Sequence, residues 1–255
     1  MKIAVPNNPN FENLYGNTHF INNTKDLQLY KVREEDTHKL LLEKKVDAAL
    51  LSPIGYGYGY KDSDFRIIPE TACSAVEYTG LASIFFQHGL KNITKVASNS
   101  PNDFMIKMGG LLLAEKFDLA IELLTAKGDK AEILKKYDAA VLWQQSDSTD
   151  NALDISDEWF DAFEMPLPLL AWVTHEGQTP DKLVQYIRNM AIPDLEKEEK
   201  KIETIDKQVD FDLRKGHIFW TWTDEVEKAF EQILQYLFFH QFFQHIPAVK
   251  VLGRD

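Results

Sequence analysis

SAVEYTGLASIFFQHG, residues 74–89, is an apolar, strand-like run that carries a Thr-Gly pair and two serines but no tight turn. A second stretch of this kind, MPLPLLAWVTHEG, covers residues 165–177. Segments like these suit a chain that crosses from one lobe to another and back, bracketing a middle lobe of about 80 residues. The alternative is a single doubly wound sheet in which both are ordinary buried strands. Either way ligands are expected at the carboxyl ends of strands, and in a two-lobed protein in the cleft between the lobes.

Outward from these two stretches, short apolar runs alternate with helical patterns. Strands are expected at KIAV (2–5), LQLYKV (27–32), DAALLS (47–52), RIIPETACSAV (66–76), ASIFFQ (82–87), ITKVAS (93–98), AIELL (120–124), DAAVLW (138–143) and LPLLAWVT (167–174). Several are continuous apolar runs, as in strands of a parallel sheet covered on both faces. Helices are expected at 34–45, 102–117, 130–137 and 156–163, and this alternation argues for an α/β protein. After Pro180 the chain reads as mostly helical to about residue 209, with a break near Pro193 and the charge run EKEEKK (196–201) as a solvated face. The closing stretch, 223–243, is an amphipathic helix capped by Thr223 or Asp224, with Val226, Phe230, Ile233, Leu234, Leu237 and Phe238 at helical spacing.

Composition narrows the function. The chain has 255 residues, enough for one large domain or two lobes with their own cores, and 44% are hydrophobic. Acidic residues outnumber basic ones, 40 to 28, for a net charge of -12, which opposes a nucleic-acid surface. A carboxylate ligand remains compatible, because backbone N–H groups and hydroxyls hold anions without a net positive charge. The opening Met1-Lys2-Ile3-Ala4-Val5-Pro6 reads as a strand rather than a charged and then apolar leader, and no apolar run reaches the roughly 18 residues of a spanning helix. A cytoplasmic protein with no membrane partner is the expectation. The single cysteine, Cys73, lies in an apolar strand and reads as an inert core thiol. His240 and His245 are five apart, which misses the one-face spacing of helical metal ligands, so neither a metal nor a cofactor is expected.

Three constellations carry possible chemistry. GYGYGY (55–60) directly follows a strand, but its glycines are spaced by two and no Lys-Ser/Thr follows, so it is not a phosphate loop. It reads either as a plain surface loop or as a cleft rim with Ser52 inside and Tyr56, Tyr58 or Tyr60 over a ligand. In EYTGLASIFF (77–86), Thr79, Gly80 and Ser83 place small and hydroxyl residues where the chain crosses between lobes; Gly80 permits close backbone approach. In VASNSPNDF (96–104) a strand ends at Ser98, and Ser100, Asn102 and Asp103 lead into a helix whose start is either an ordinary cap or an anion site. Trp143, Trp159, Trp172, Trp220 and Trp222 read as core rather than as binding platforms.

Taken in order, DAALLSPIGY, YTGLASIFF, VASNSPNDFMIKMGGLLLAEKF, YDAAVLW, ISDEWFDAF and MPLPLLAWVTHEG resemble the chorismate dehydratases of the futalosine route to menaquinone. The resemblance covers most of the chain and lies in order and spacing rather than in one specific motif. It implies a two-lobed α/β protein of the type II periplasmic-binding-protein-like fold with a helical C-terminal tail. Lobe 1 would be residues 1–80 with 170–255, and lobe 2 residues 81–169. It also implies a cytoplasmic lyase that removes water from chorismate, a small carboxylate, to give a 3-(1-carboxyvinyloxy)benzoate. Ser83 matches the family's serine in the crossing segment, and Ser52 or its neighbour the serine after the third strand. Asn102 and Asp103 stand where the family has a carboxylate-binding Thr-Ser pair. In the loop VPNNPNFENLYG (5–16), Pro9 stands where the family has a catalytic asparagine, with Asn8 and Asn10 on either side. Gly55 stands where an acidic residue is common. The resemblance therefore nominates Ser83, Asn8 and Asn10 as catalytic, and Ser52, Tyr56, Thr79, Gly80, Ser100, Asn102 and Asp103 as substrate-binding. A cytosolic binding protein or sensor of the same fold, without chemistry, stays open beside the lyase.

Overall fold

The structure is a computed structural model and describes residues 1–60, 63–90, 92–147, 150–177, 181–195, 200–205 and 213–254. The chain begins β1 (Lys2–Pro6), a 3-10 turn (Pro9–Leu14), α1 (Thr18–Asn23), β2 (Gln28–Val32), α2 (Glu34–Leu42), β3 (Ala48–Leu51), α3 (Pro53–Tyr60) and β4 (Phe65–Glu77). It continues with β5 (Ser83–Phe86), β6 (Val96–Ser98), α4 (Phe104–Lys116), β7 (Leu123–Thr125), α5 (Lys130–Leu134), β8 (Ala139–Leu142), β9 (Ala152–Asp154) and α6 (Ile155–Phe163). The last third holds β10 (Leu167–His175), α7 (Asp181–Met190), β11 (Lys200–Ile205), β12 (Leu213–Thr221) and α8 (Asp224–Phe239).

The chain divides into two compact units. Unit 1 is Met1–Ser74, Pro166–Glu199 and Phe219–Asp255; unit 2 is Ala75–Met165 and Lys200–Ile218. Residues Lys200–Ile218, left in lobe 1 by the sequence reading, cluster with unit 2. That reading also made 181–209 mostly helical. Helix α7 is present, but 200–205 is a strand paired antiparallel with β12, from Lys200 opposite Ile218 to Ile205 opposite Leu213. Residues 196–199 of the charge run lie outside the described residues. A run rich in Lys and Glu has helical propensity, and the partner strand overrides it.

The strands of the seven-stranded sheet run in the order β11-β12-β4-β10-β3-β1-β2. β1 lies parallel to both β2 and β3, whereas β10 is antiparallel to β3. One face of this sheet builds a core of Ala49, Leu51, Ala171 and Val173 with Tyr56, Phe65, Trp222, Phe230 and Leu234. Helix α8 closes that core with the spacing expected of it: Val226, Phe230, Ile233, Leu234 and Leu237 are buried, and Thr223 caps it by accepting from the Val226 N–H at 3.2 Å. Phe238, assigned to the same stripe, is only half-buried. Unit 2 has a five-stranded sheet, β7-β6-β8-β5-β9, with Phe85, Ala97, Ile133, Ala140 and Leu142 in its core. Asp129 and Glu132 form a reciprocal capping box at the start of α5.

The Gly-Tyr stretch corrects the sequence reading most. It is a helix, α3, not a loop. Ser52 starts it: its Oγ accepts from the Gly55 N–H at 3.4 Å, its carbonyl from the Tyr56 N–H at 2.9 Å, and Pro53 holds the first helical position. Three glycines weaken a helix, yet packing requires two of them. A Cβ on Gly57 would sit 2.2 Å from Phe243 Cζ, and one on Gly59 1.8 Å from Phe65 Cε2. Gly59→Ala is expected to cost about 2–3 kcal/mol, because the fully buried Phe65 ring has nowhere to move. A denaturation midpoint equal to that of the parent would contradict this packing.

Cys73 is fully buried in β4, and burial pushes its thiol pKa up. Thiol reagents are expected to modify it only in molecules that have unfolded, so in a denaturant series the modification rate should track the unfolded fraction.

Candidate functional site

The polar centre of unit 2 is a carboxylate that the sequence reading did not nominate. Asp154 ends β9 and caps α6 while only 1% exposed. Its Oδ1 accepts from the Ser156 N–H at 3.0 Å, the Ser156 hydroxyl at 2.6 Å and the Asp157 N–H at 3.1 Å. Its Oδ2 accepts from the Gly80 N–H at 2.8 Å. With its own proton directed at Asp154, the Ser156 hydroxyl accepts from Thr79 Oγ1 at 2.7 Å. One buried carboxylate thus fastens the Thr79-Gly80 turn to the N-terminus of α6. Gly80 adopts φ +65, a left-handed conformation that glycine takes without strain.

Ser83 stands beside this network. It is fully buried at the start of β5 and is paired in register with Asp154 on β9 and Leu142 on β8. Directly opposed residues of an antiparallel pair share a face, so the Ser83 and Asp154 side chains are neighbours. The Ser83 hydroxyl nevertheless has no hydrogen-bond partner among the described residues. Leaving such a group unpaired costs about 1–3 kcal/mol.

The acidic start of α6 is electrostatically loaded. Burial pushes the Asp154 pKa up, against the hydrogen bonds that hold it down. Asp157 is pushed up to about 6, first by burial and then by the charges of Asp154 and Asp161. A carboxyl whose folded pKa exceeds its ordinary 3.8 binds its proton more tightly when folded. Its contribution to stability is complete below that ordinary value and is lost as pH rises to about 6. Asp157→Asn is therefore expected to raise stability at pH 7.5 by about 1 kcal/mol, a figure discounted because the group is only half-buried, and to change little at pH 4. Equal effects at both pH values would overturn this account.

The remaining nominated residues divide between the units. In unit 1, Asn8 caps the 3-10 turn: its side-chain carbonyl accepts from the Asn10 N–H at 3.0 Å, and both residues are half-buried. Tyr15 holds this loop, its hydroxyl 2.7 Å from Pro6 O and 3.1 Å from Asn8 O. Ser52 is buried as the start of α3. Tyr56 is corrected from ligand-facing to core: it is fully buried, donates to Ala248 O at 2.9 Å and accepts from the Lys250 N–H at 3.1 Å. Tyr58 is 44% exposed and its ring packs against Phe243.

In unit 2, the Ser100 N–H donates to Ser98 Oγ at 3.1 Å, and exposed Asn102 accepts from Lys107 at 3.4 Å. Asp103 caps α4 by backbone conformation alone; its carboxylate accepts instead from the Trp143 indole at 2.8 Å. The Asp103 side chain makes no capping hydrogen bond to the helix start. The structure brings Thr79, Gly80 and Ser83 together around Asp154, Ser156 and Asp157. The last three had a local signal, an Asp-x-Ser-Asp cap before an amphipathic helix. Nothing local tied that cap to residues 79–80.

Among the described residues no helix is long and apolar enough to cross a membrane, and no group of three or more His, Cys, Asp or Glu could hold a metal. No protein-family model matches the chain, and no curated protein sequence matches it. Solved structures do. An ABC transporter from Parabacteroides distasonis superposes with a TM-score of 0.57 at 12% identity, covering 100% of this chain and 99% of that one. Protein AF1704 from Archaeoglobus fulgidus gives 0.55 at 15% identity, covering 74% and 73%. The alkanesulfonate-binding protein SsuA from Xanthomonas axonopodis pv. citri, bound to MOPS, gives 0.51 at 9% identity, covering 98% and 96%. At such identities the likeness concerns the fold alone, and the fold is the two-lobed, α/β, type II periplasmic-binding-protein-like one.

Proposed function

We propose that this protein is a cytoplasmic lyase that eliminates water from chorismate to give a 3-(1-carboxyvinyloxy)benzoate for menaquinone biosynthesis. The observation that carries the reading is the Ser83 hydroxyl, wholly buried and without a partner among the described residues. An unpaired buried hydroxyl is a standing cost, and it is retained where a ligand group completes it. In the elimination one C–H and one C–OH bond of the diene ring break, the new C=C bond completes an aromatic ring, and water leaves. Aromatisation supplies the driving force, so the protein has chiefly to orient the ring and stabilise the departing oxygen. Ser83 would donate a hydrogen bond to that hydroxyl, and an amide of Asn8 or Asn10 would take part in the proton transfer. Ser52, Thr79 and Gly80, with Ser100, Asn102 and Asp103, would frame the carboxylates.

The test is incubation with chorismate and mass analysis for a product lighter by one water. Ser83→Ala should lower turnover about 100-fold while leaving the melting temperature unchanged or slightly higher, since the hydroxyl it removes is unpaired. No product at high enzyme concentration would sink the lyase reading. A binding protein or sensor for a small carboxylate is the second reading. It is favoured by Asn8, whose side-chain carbonyl is already committed to capping the 3-10 turn. Saturable chorismate binding without turnover would establish it.

A further inference from the structure

Two more buried donors lack a partner among the described residues: Ser74 Oγ on β4 and Trp220 Nε1 on β12. Both belong to unit 1, and they are 1% and 4% exposed. Neither is explained by the site around Asp154. The strands that carry them are neighbours, with the Trp222 N–H donating to Glu70 O at 2.9 Å. With Trp222 opposite Glu70, an antiparallel register sets Trp220 opposite Ala72, one diagonal step from Ser74. The faces agree as well. Ala72 and Trp222 both belong to the core under α8, so Ser74 and Trp220, two residues further along each strand, lie on that same face.

We propose that Ser74 and Trp220 form a donor pair for a carboxylate of the ligand. The inference rests on the reading that the ligand is a small carboxylate. An indole N–H donates and cannot accept, so its partner must be an acceptor, and a serine hydroxyl can donate to the same group. Diagonal neighbours on adjacent strands stand about 7–8 Å apart. Those are backbone separations; two hydrogen bonds of about 2.9 Å to the two oxygens of one carboxylate join donor atoms up to about 8 Å apart, a range that side chains on such neighbours reach. Uncharged donors also suit this site, because buried donors fixed by a sheet bind an anion without the desolvation that a buried Lys or Arg would require.

The experiment follows the Trp220 indole N–H by nitrogen-15 NMR of the full chain, with Trp220→Phe identifying its signal among the five tryptophans. The probes are chorismate and benzoate. The expected result is a downfield shift of this signal on saturation. Trp220→Phe and Ser74→Ala should each weaken binding of the same probe about tenfold without lowering the melting temperature. A signal that moves with neither probe overturns the donor pair, whether or not chorismate is turned over. Affinities within twofold of the parent in both variants overturn it too. Movement with benzoate and none with chorismate supports the pair and removes the chorismate reading. Turnover of chorismate with a silent indole does the reverse.

Discussion

Asp154→Ala is expected to destabilise the protein by about 4 kcal/mol, the largest effect of any single substitution considered. The carboxylate accepts from three N–H groups and one hydroxyl, and it is 1% exposed. Truncation removes a helix cap, worth about 1 kcal/mol, and strands donors whose desolvation costs about 1–3 kcal/mol each, partly relieved by water entering the gap. Asp154→Asn keeps the shape but turns an NH2 toward one of these donors, so about half the loss is expected. Urea unfolding of the three proteins would measure both steps. A loss below about 1 kcal/mol for Asp154→Ala would show that the Thr79-Gly80 turn is held by something else. Thr79 and Gly80 are both nominated to the site, so turnover and probe affinity should fall together in the asparagine variant, which is expected to stay folded.

Gly216→Ala should cost about 3–4 kcal/mol for a different reason. A Cβ there would lie 1.7 Å from the carbonyl oxygen of Tyr78 and 2.3 Å from its carbonyl carbon. These are backbone atoms, so no rotamer change relieves the overlap and β12 must move. Movement would break the hydrogen bond from the Tyr78 N–H to Lys215 O at 3.1 Å and disturb the pairing of Gly216 with Ile202 on β11. Overpacking of this kind costs about 1–3 kcal/mol, and the lost hydrogen bond adds about 1. Comparing Gly216→Ala with Gly110→Ala makes the test specific: a Cβ on Gly110 meets nothing nearer than 3.9 Å, so that variant should be neutral or slightly stabilising. Equal melting temperatures for the two would refute the close approach.

Strands β1, β3, β5, β6 and β8 were legible because each is a short apolar run buried along almost its whole length, and that pattern survives without knowledge of the partner. The three residues of β9 carry no such run and were not expected as a strand. The run 200–205 was not legible, since Lys and Glu favour a helix and only the presence of β12 makes a strand there. Helix α3 was half legible. Ser52-Pro53 is a helix start, but three glycines in eight residues concealed it. The reason for two of those glycines lies far along the chain in the case of Phe243, and just past the helix in the case of Phe65.

The candidate site divides in the same way. Sequence order alone singled out the crossing segment with Thr79, Gly80 and Ser83, because hydroxyl and glycine residues inside an apolar strand are conspicuous locally. The amphipathic pattern alone determined α8 and narrowed its cap to Thr223 or Asp224, because helical spacing depends only on neighbours in the chain; the fold selects Thr223. Tertiary structure decided that Asp154 fastens residues 79–80 from 74 positions away, that Tyr56 belongs to the core, and that Asp103 bonds Trp143. It also decided which donors go unpaired. Pairing is a property of distances between strands that meet only when folded, so residue types can announce a hydroxyl or an indole, and only packing determines whether anything is there to receive its proton.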